Sequence, residues 1–226
     1  MNGSTQTVVR LEDVKRDPEV AVYIARSNEY LGAIGYTEHG QRHVNLVAQV
    51  AYNILTHLGH PRRTAELAAI AGYLHDIGNV VGRHNHGQAG ALIAYQILGR
   101  LGMPPEEVAQ VVGAVGNHEE EYGQAVNPVA AALILADKSD VHRSRVRNRD
   151  PATFDLHDRV NYAVERSFLR VDAERKRLTM ELTIDTDISP VMDYFEIFLT
   201  RMLMCRRAAA FLGCAFGMEI NGARFL

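Results

Sequence analysis

Histidine is concentrated in one part of this sequence of 226 residues. Ten histidines are present, and most of them fall between His39 and His118. Within that region His75 and Asp76 stand side by side, directly before a glycine turn, in the sequence Leu-His-Asp-Ile-Gly. An imidazole and a carboxylate at adjacent positions can hold one divalent cation. A His-Asp pair also occurs by chance, so its meaning depends on which other side chains point the same way.

Three further ligand-type side chains are predicted to face the protein interior. His43 shares the apolar face of its helix, His118 follows Val115 by three residues, and Asp137 follows Leu133 by four. Burial of unpaired imidazoles and carboxylates is costly, so a shared metal ion explains these inward-facing groups better than separate accidents do. The residue types suit borderline to hard divalent ions, and no thiolate cluster indicates a structural zinc site.

The first histidine of this set has a competitor. His39 and His43 lie four residues apart, but His39 falls at or before the predicted start of the helix. We therefore expect His43 to be the ligand. His39 is expected behind the ligands or at the surface.

The segments that carry these residues are predicted to be helical. Proline and asparagine at segment starts, glycine at segment ends and apolar residues at three- and four-residue spacing support this interpretation. The predicted helices cover residues 43–58, 61–78, 89–101, 104–118 and 128–148. A polar loop is expected over residues 80–88.

The pattern changes after about residue 155. Residues 168–171 and 178–184 alternate apolar and polar side chains around a charged turn, Pro190 begins a helix, and residues 216–225 can supply another strand. The sequence thus predicts a mainly α fold with a small C-terminal α+β appendage in β-β-α-β order. The expected division is a helical domain at 1–160, with its motifs in 36–150, and a subdomain at 161–226.

Composition narrows the classes of function. Charge is mixed, with a formal net charge of -3, and 47% of residues are hydrophobic, which argues against a nucleic-acid polymer as partner. The sequence has no run of eighteen apolar residues and no apolar stretch typical of a signal peptide, so we expect a cytoplasmic protein without a membrane partner. The two cysteines, Cys205 and Cys214, match no disulfide or metal motif and fit a reducing compartment.

The ordered motifs resemble a known family. His43, Leu74-His75-Asp76-Ile77-Gly78, Asn117-His118-Glu119 and Ala136-Asp137-Lys138 together resemble the HD superfamily of metal-dependent phosphohydrolases. The resemblance covers roughly residues 43–147 and implies an HD-domain helical bundle. It further implies that one metal ion is held by His43, by the His75-Asp76 pair at the catalytic centre and by Asp137.

The resemblance also implies a second metal ion. His86 and His118 match positions that complete a binuclear site in some members, including the HD-GYP branch, with Asp76 bridging the two ions. The expected cofactors are two divalent ions drawn from Mn, Fe, Co, Ni, Mg and Zn. No Gly-Tyr-Pro motif follows His118, so hydrolysis of cyclic di-guanylate is not indicated.

The sequence departs from the family where phosphate would bind. Many members carry lysine after the glycine of His-Asp-x-Gly, whereas this chain has Asn79. Positive charge for the substrate is therefore expected from elsewhere, and we predict that Arg143 and Arg147 share a helical face. The predicted substrate-binding residues are Asn79, His84, Lys138, Arg143 and Arg147.

The function implied by the resemblance is hydrolysis of a phosphomonoester or phosphodiester by metal-activated water. The expected substrate is a nucleotide or another small phosphorylated metabolite. Two alternatives stay open: a mixed-valent di-iron oxygenase of the HD type, and a non-catalytic, metal-containing sensing module. The C-terminal subdomain could cap the active site or form the interface of a homodimer, and the sequence does not choose between them.

Overall fold

The computed structural model describes residues 8–225. Residues 1–7 and residue 226 lie outside the described residues. The prediction that the N-terminus lacks a signal peptide falls partly on residues 1–7. The α-helices are α1 (Leu11–Arg16), α2 (Pro18–Ala33), α3 (Gln41–His57), α4 (Arg62–Leu74), α5 (His86–Arg100), α6 (Pro105–Gly116), α7 (Pro128–Lys138), α8 (Leu156–Ala163) and α9 (Val191–Phe211). The strands are β1 (Val164–Asp172), β2 (Arg177–Ile184), β3 (Ala215–Ile220) and β4 (Ala223–Arg224).

The helical bundle is organised around α7. Every residue from Val129 to Ala136 is buried, as expected for a helix that is apolar on all sides, and α7 packs against α3, α4, α6 and α9. Helices α3 and α4 approach closely because α4 presents small residues. A Cβ at Gly72 would lie 2.9 Å from the backbone of Ala48 on α3. The bundle core therefore depends on close backbone packing as well as on large side chains.

Local capping explains where the helices begin. The side chain of Asn127 accepts the backbone N–H of Ala130 at 2.7 Å, and Pro128 occupies the first position of α7. Asp17 caps α2 in the same way, with Pro18 at its first position. A polar cap followed by proline satisfies free N–H groups and presets the backbone for the first turn.

The C-terminal segment forms a four-stranded sheet of order β1-β2-β3-β4. Strands β1 and β2 form an antiparallel hairpin, β3 is parallel to β2, and α9 makes the connection between them. Buried residues alternate along β2, so that one face of the sheet packs onto the core. The predicted β-β-α-β order is confirmed. A two-residue strand β4 follows a tight Asn221-Gly222 turn at positive φ, a sequence typical of hairpins.

The mainly α fold is confirmed, but several predicted boundaries are wrong. Helices α1 and α2 lie before the first predicted helix, in a polar stretch for which no helix was predicted. Helix α4 ends at Leu74, before the His-Asp pair, and a short 3-10 helix follows at Ile77–Val80. Helix α5 begins at His86, three residues earlier than predicted, and the unpredicted α8 precedes the hairpin.

The predicted continuation of α7 to residue 148 is also wrong. The helix ends at Lys138, and only a short 3-10 helix, Arg143–Arg145, follows. Tertiary contacts explain this ending: Arg145 donates to the carbonyl of Asp140 at 2.7 Å and to that of Glu38 at 3.0 and 3.1 Å. These bonds fold the chain back toward the start of α3, so Arg143 and Arg147 do not share a helical face.

Two predictions about organisation and environment have different outcomes. Within residues 8–225, no helix combines the length and apolar character required to cross a bilayer. The division at residues 160 and 161 stays a prediction. It falls within α8, and one continuous set of buried residues extends from the bundle to the sheet.

Candidate metal centre

Six side chains from five helical segments meet in the interior of the bundle. His43 lies in the first turn of α3, and the pair follows the last turn of α4, where His75 is the C-cap. His86 is the first residue of α5, His118 comes two residues after α6, and Asp137 lies in the last turn of α7. Their ligand atoms fall into three overlapping groups whose members lie within 4.8 Å of one another: His43, His75, Asp76; His75, His118, Asp137; and Asp76, His86, His118.

All four histidines are oriented by a hydrogen bond at Nδ1. His75 Nδ1 donates to the carbonyl of Gly72 at 2.8 Å, His86 Nδ1 to that of Arg83 at 3.0 Å, and His118 Nδ1 to that of Val115 at 2.6 Å. His43 Nδ1 instead donates to the carboxylate of Asp140 at 2.7 Å. Because Nδ1 is the donor in each of these bonds, Nε2 is the nitrogen of each ring that remains to ligate a metal ion.

The four Nε2 atoms are arranged as two facing pairs. His43 Nε2 and His75 Nε2 are 3.2 Å apart, and His86 Nε2 and His118 Nε2 are 3.0 Å apart. Two ligands at about 2.1 Å from one ion would be separated by about 3.0 to 3.4 Å for angles between about 90° and 109°. The spacing of each pair therefore fits two ligands of one divalent ion.

Asp76 lies between the two pairs. Its Oδ2 is 3.2 Å from His75 Nε2 and 3.5 Å from His43 Nε2, whereas its Oδ1 is 3.4 Å from His86 Nε2. Within the described chain, Oδ2 is buried and accepts no hydrogen bond. A buried carboxylate oxygen without a donor is costly, and a cation would satisfy it. The donor set of this structure thus fits divalent ions.

The electrostatics of the two pairs differ. Burial lowers the pKa of His75, but the charges of and hydrogen bonds to Asp76 and Asp137 outweigh burial and raise it to about 10. The pKa of His43 is also raised, because Asp137, Asp140 and Asp76 outweigh burial and Arg145. Burial, followed by the charges of His86 and His75, instead lowers the pKa of His118 well below its ordinary value. The first pair thus lies in a much more negative environment than the second.

Comparison with known proteins agrees with this geometry. Residues 41–141 match the family described as HD domain, a range that begins with α3 and ends just after α7. This match supports the predicted resemblance to the HD-domain superfamily. This superfamily consists mostly of metal-dependent phosphohydrolases, and the six clustered side chains are compatible with metal binding by the HD domain.

Similarity to one other protein extends past the HD domain. The chain is 24% identical over 201 residues to the uncharacterized protein MJ1020 of Methanocaldococcus jannaschii, covering 78% of this chain and 76% of the relative. That share is larger than the HD domain alone, so the two proteins also resemble one another in flanking segments.

We call the six clustered side chains the HD-domain cluster: His43, His75, Asp76, His86, His118 and Asp137. Two of the predicted substrate-binding residues lie beside this cluster, in contact with its aspartates. The Asn79 amide donates to Asp76 Oδ1 and to the Asp76 carbonyl, both at 2.9 Å. Lys138 Nζ donates to Asp137 Oδ2 at 2.7 Å and is almost entirely buried. These contacts show that both side chains hold ligand-type carboxylates in place, and their contact with a substrate stays a prediction.

The other predicted substrate-binding residues are not brought into the cluster. Arg143 pairs with Glu165 at 3.0 Å, and Arg147 donates to the carbonyl of Tyr36 at 3.0 Å. His84 is exposed in the loop before α5. His39 precedes α3 as predicted, but the alternative of a surface position is wrong, because it is buried with its ring 5.4 Å from that of His43.

Sequence reasoning missed three charged residues around the HD-domain cluster. Asp140 accepts from His43, Glu119 Oε1 lies 3.4 Å from His86 Nδ1, and Arg83 Nη1 lies 3.5 Å from His86 Nε2. Asp140 follows Asp137 by three residues and Arg83 follows Asn79 by four, spacings that could have drawn attention to both. Glu119 was noted only as a neighbour of His118.

The glycine of His-Asp-x-Gly positions the second pair. A Cβ at Gly78 would overlap the carbonyl of His86 and the backbone amide of Gly90. The first turn of α5 therefore packs directly on the backbone that follows the His-Asp pair. This contact brings His86 close to Asp76. It also explains why residue 78 is a glycine, since a larger residue would not fit.

Proposed function

We propose that this protein is a phosphohydrolase that uses two divalent ions at the HD-domain cluster to hydrolyse a small phosphate ester. The observation that carries the proposal is the pairing of imidazole Nε2 atoms on either side of a buried carboxylate. In the proposed ligand set, the His43 half-site comprises His43, His75 and Asp137, the His86 half-site comprises His86 and His118, and the two share Asp76 through its two oxygens.

The chain supports this ligand set through hydrogen bonds that fix each imidazole. Three Nδ1 atoms donate to backbone carbonyls and the Nδ1 of His43 donates to Asp140, so none of the four rings can turn without losing a bond. Asn79 fixes Asp76, and Lys138 occupies the second oxygen of Asp137. Rigid ligands favour a defined coordination geometry.

Divalent ions bound there would lower the pKa of water toward neutrality and would neutralise charge on phosphoryl oxygens. The residues contribute by keeping Asp76 ionised: burial raises its pKa, but the charge of His75 and the close approach of the His43, His75 and His86 rings outweigh burial and hold it well below its ordinary value. Hydrolysis of a monoester or diester, of a nucleotide or another small phosphorylated metabolite, is the reaction proposed for this arrangement.

The test is hydrolysis of p-nitrophenyl phosphate, bis(p-nitrophenyl) phosphate and a nucleotide panel with added Mn, Mg, Co, Ni or Fe. We expect metal-dependent turnover, and we expect Asp76→Ala to lower kcat/KM by about a thousandfold or more, because it removes a ligand from both half-sites. Asp187→Ala is the matched control, since Asp187 is an exposed aspartate in the segment between β2 and α9.

Other outcomes would decide against the proposal. Equal rates for the native protein and Asp76→Ala, or rates that do not depend on metal, would rule out this site as the hydrolytic centre. Iron-dependent oxygen uptake without ester hydrolysis would favour the oxygenase alternative. Tight nucleotide binding without turnover with any of the metals would favour a sensing module.

A further inference from the structure

Arg83 places a guanidinium group next to the His86 half-site. Its Nη1 lies 3.5 Å from His86 Nε2 and 3.3 Å from Asn79 Oδ1, which accepts a hydrogen bond from it. The guanidinium also lies over the ring of Tyr36, 5.2 Å from the ring centre. The side chain is partly exposed. Arg83 is therefore held by two neutral groups and an aromatic ring at the point where Nε2 faces the interior.

Charge pairing distinguishes Arg83 from the other cations around the cluster. Lys138 pairs with Asp137 at 2.7 Å, Arg42 with Asp140 at 2.8 Å, and Arg201 with Glu120 at 2.8 Å. In the part of the chain that the structure describes, Arg83 makes no ion pair with a carboxylate. A guanidinium with its charge unpaired beside metal-type ligands is suited to receive an anion, and two of its N–H groups can bind two oxygens of one phosphate.

The spacing to His86 also indicates an anionic neighbour. A divalent ion held by His86 Nε2 would repel a guanidinium whose nitrogen is only 3.5 Å from the same atom. An anion bound to both cations removes that repulsion. The side chain can move without disturbing the histidine, because it is the backbone carbonyl of Arg83 that accepts His86 Nδ1 at 3.0 Å.

We propose that Arg83 binds the phosphoryl group of the substrate and makes the site selective for phosphomonoesters over phosphodiesters. This inference rests on the proposed hydrolase function. A monoester carries three unesterified oxygens, which can satisfy two metal ions and a guanidinium together. A diester carries only two and a single negative charge, so contacts with both ions would leave less charge and fewer acceptor positions for Arg83. The guanidinium thus stabilises the monoester more than the diester.

The local sequence is arranged for this role. Where the family often has a lysine, the short Asn79 amide donates to Asp76 and offers its oxygen to Arg83, four residues later. Many family members carry a positive charge directly after the glycine of His-Asp-x-Gly. In this chain, a residue of the loop before α5 carries it instead. The aromatic ring of Tyr36, from the segment between α2 and α3, supports the guanidinium from its other side.

The first experiment measures binding and does not depend on turnover. Inorganic phosphate is titrated into the Mn-loaded protein by calorimetry, with metal content determined in parallel. We expect Arg83→Gln to weaken phosphate binding by about ten- to a hundredfold with unchanged metal content, and Arg83→Lys to recover part of the loss. Arg175→Gln is the control, because Arg175 is an exposed arginine in the β1–β2 turn.

The second experiment measures selectivity. We expect Arg83→Gln to lower kcat/KM for p-nitrophenyl phosphate by about tenfold or more while changing that for bis(p-nitrophenyl) phosphate by less than about twofold. Equal losses for both esters, or phosphate binding unaffected by Arg83→Gln, would overturn the inference, as would a native Mn-loaded protein that binds no phosphate. If the native protein binds phosphate but hydrolyses neither ester, the proposed function fails, and the phosphate titration still decides the role of Arg83.

Discussion

The two proposed half-sites that share Asp76 differ in their carboxylates and in the groups that fix their histidines. The His43 half-site contains Asp137, and Asp140 lies behind His43, 2.7 Å from its Nδ1. The His86 half-site has no carboxylate of its own, its histidines are fixed by backbone carbonyls, and a guanidinium lies beside it. The pKa values show the same contrast, because that of His75 is raised and that of His118 is lowered.

This difference indicates that the half-sites would bind metal with unequal strength. A carboxylate ligand and a carboxylate behind an imidazole both increase attraction for a cation, so the His43 half-site should bind first and more tightly. The His86 half-site gains strength from its share of Asp76 and, in our proposal, from an anion that offsets Arg83. In our proposal the second ion lies next to the substrate, so its affinity would depend on whether an anion is bound in the site.

The largest effect is expected from Asp137→Asn. Asp137 Oδ1 lies 3.4 Å from His43 Nε2 and 3.6 Å from His75 Nε2, so the change removes charge from the tighter half-site while keeping the shape of the side chain. We expect the affinity for the tighter ion to fall by about a thousandfold, measured by competition with a metal indicator. Asp187→Asn controls for net charge. If the tighter ion is retained at native affinity, Asp137 is not a ligand.

The next largest effect is expected from His118→Gln. This change removes an imidazole that only the His86 half-site uses in the proposed ligand set. We expect the bound metal to fall by about one ion per chain and kcat/KM to fall by about a hundredfold, while the affinity for the tighter ion changes by less than about threefold. Elemental analysis after gel filtration gives the metal content. Loss of both ions would show that the half-sites do not bind independently.

Asp140→Asn tests the support behind the tighter half-site. The asparagine oxygen can still accept from His43 Nδ1, but the negative charge that makes the imidazole a stronger ligand is lost, and Arg42 keeps only its ion pair with Glu38. We expect affinity for the tighter ion to fall by about ten- to a hundredfold, with the weaker ion less affected. The same indicator titration measures this change. An unchanged affinity would assign Asp140 to folding alone.

Helical spacing was sufficient to predict that three of the clustered side chains face the interior, whereas His86 was predicted only through the family resemblance. His43, His118 and Asp137 could be placed inward from helical spacing, because each lies at or near the end of an apolar helix face. Local capping residues also located most helices to within a few residues. The N-terminal helices were missed although Val20, Ile24 and Leu31 form an apolar stripe, because the surrounding residues are polar.

What surrounds the cluster could not be predicted, since it depends on contacts between distant segments. Asp140 reaches His43 from the turn that follows α7, which ends at Lys138, and Arg145 binds the carbonyl of Glu38 just before α3. The sequence pointed instead to a longer helix with Arg143 and Arg147 near the substrate. The position of Arg83 depends on Tyr36, from a segment more than forty residues away in sequence. Ligands follow local patterns, whereas their supporting partners follow tertiary packing.

The smallest effect is expected from Glu119→Gln, the counterpart of Asp140→Asn in the His86 half-site. Glu119 Oε1 lies 3.4 Å from His86 Nδ1, but that nitrogen already donates to the carbonyl of Arg83 at 3.0 Å. Glutamine can still accept the backbone N–H of Gly87, so the fold around α5 should be kept. We expect affinity for the weaker ion to fall by less than about fivefold.

Measured side by side, the two substitutions test the central comparison directly. Each one removes a single negative charge from behind a ligand histidine, and each keeps the size of the side chain. A larger loss of affinity for Asp140→Asn than for Glu119→Gln would show that a carboxylate strengthens metal binding only where it is the direct acceptor of the imidazole proton. Equal losses would mean that nearby negative charge matters and the hydrogen bond does not, and the two half-sites would then differ only in their ligands.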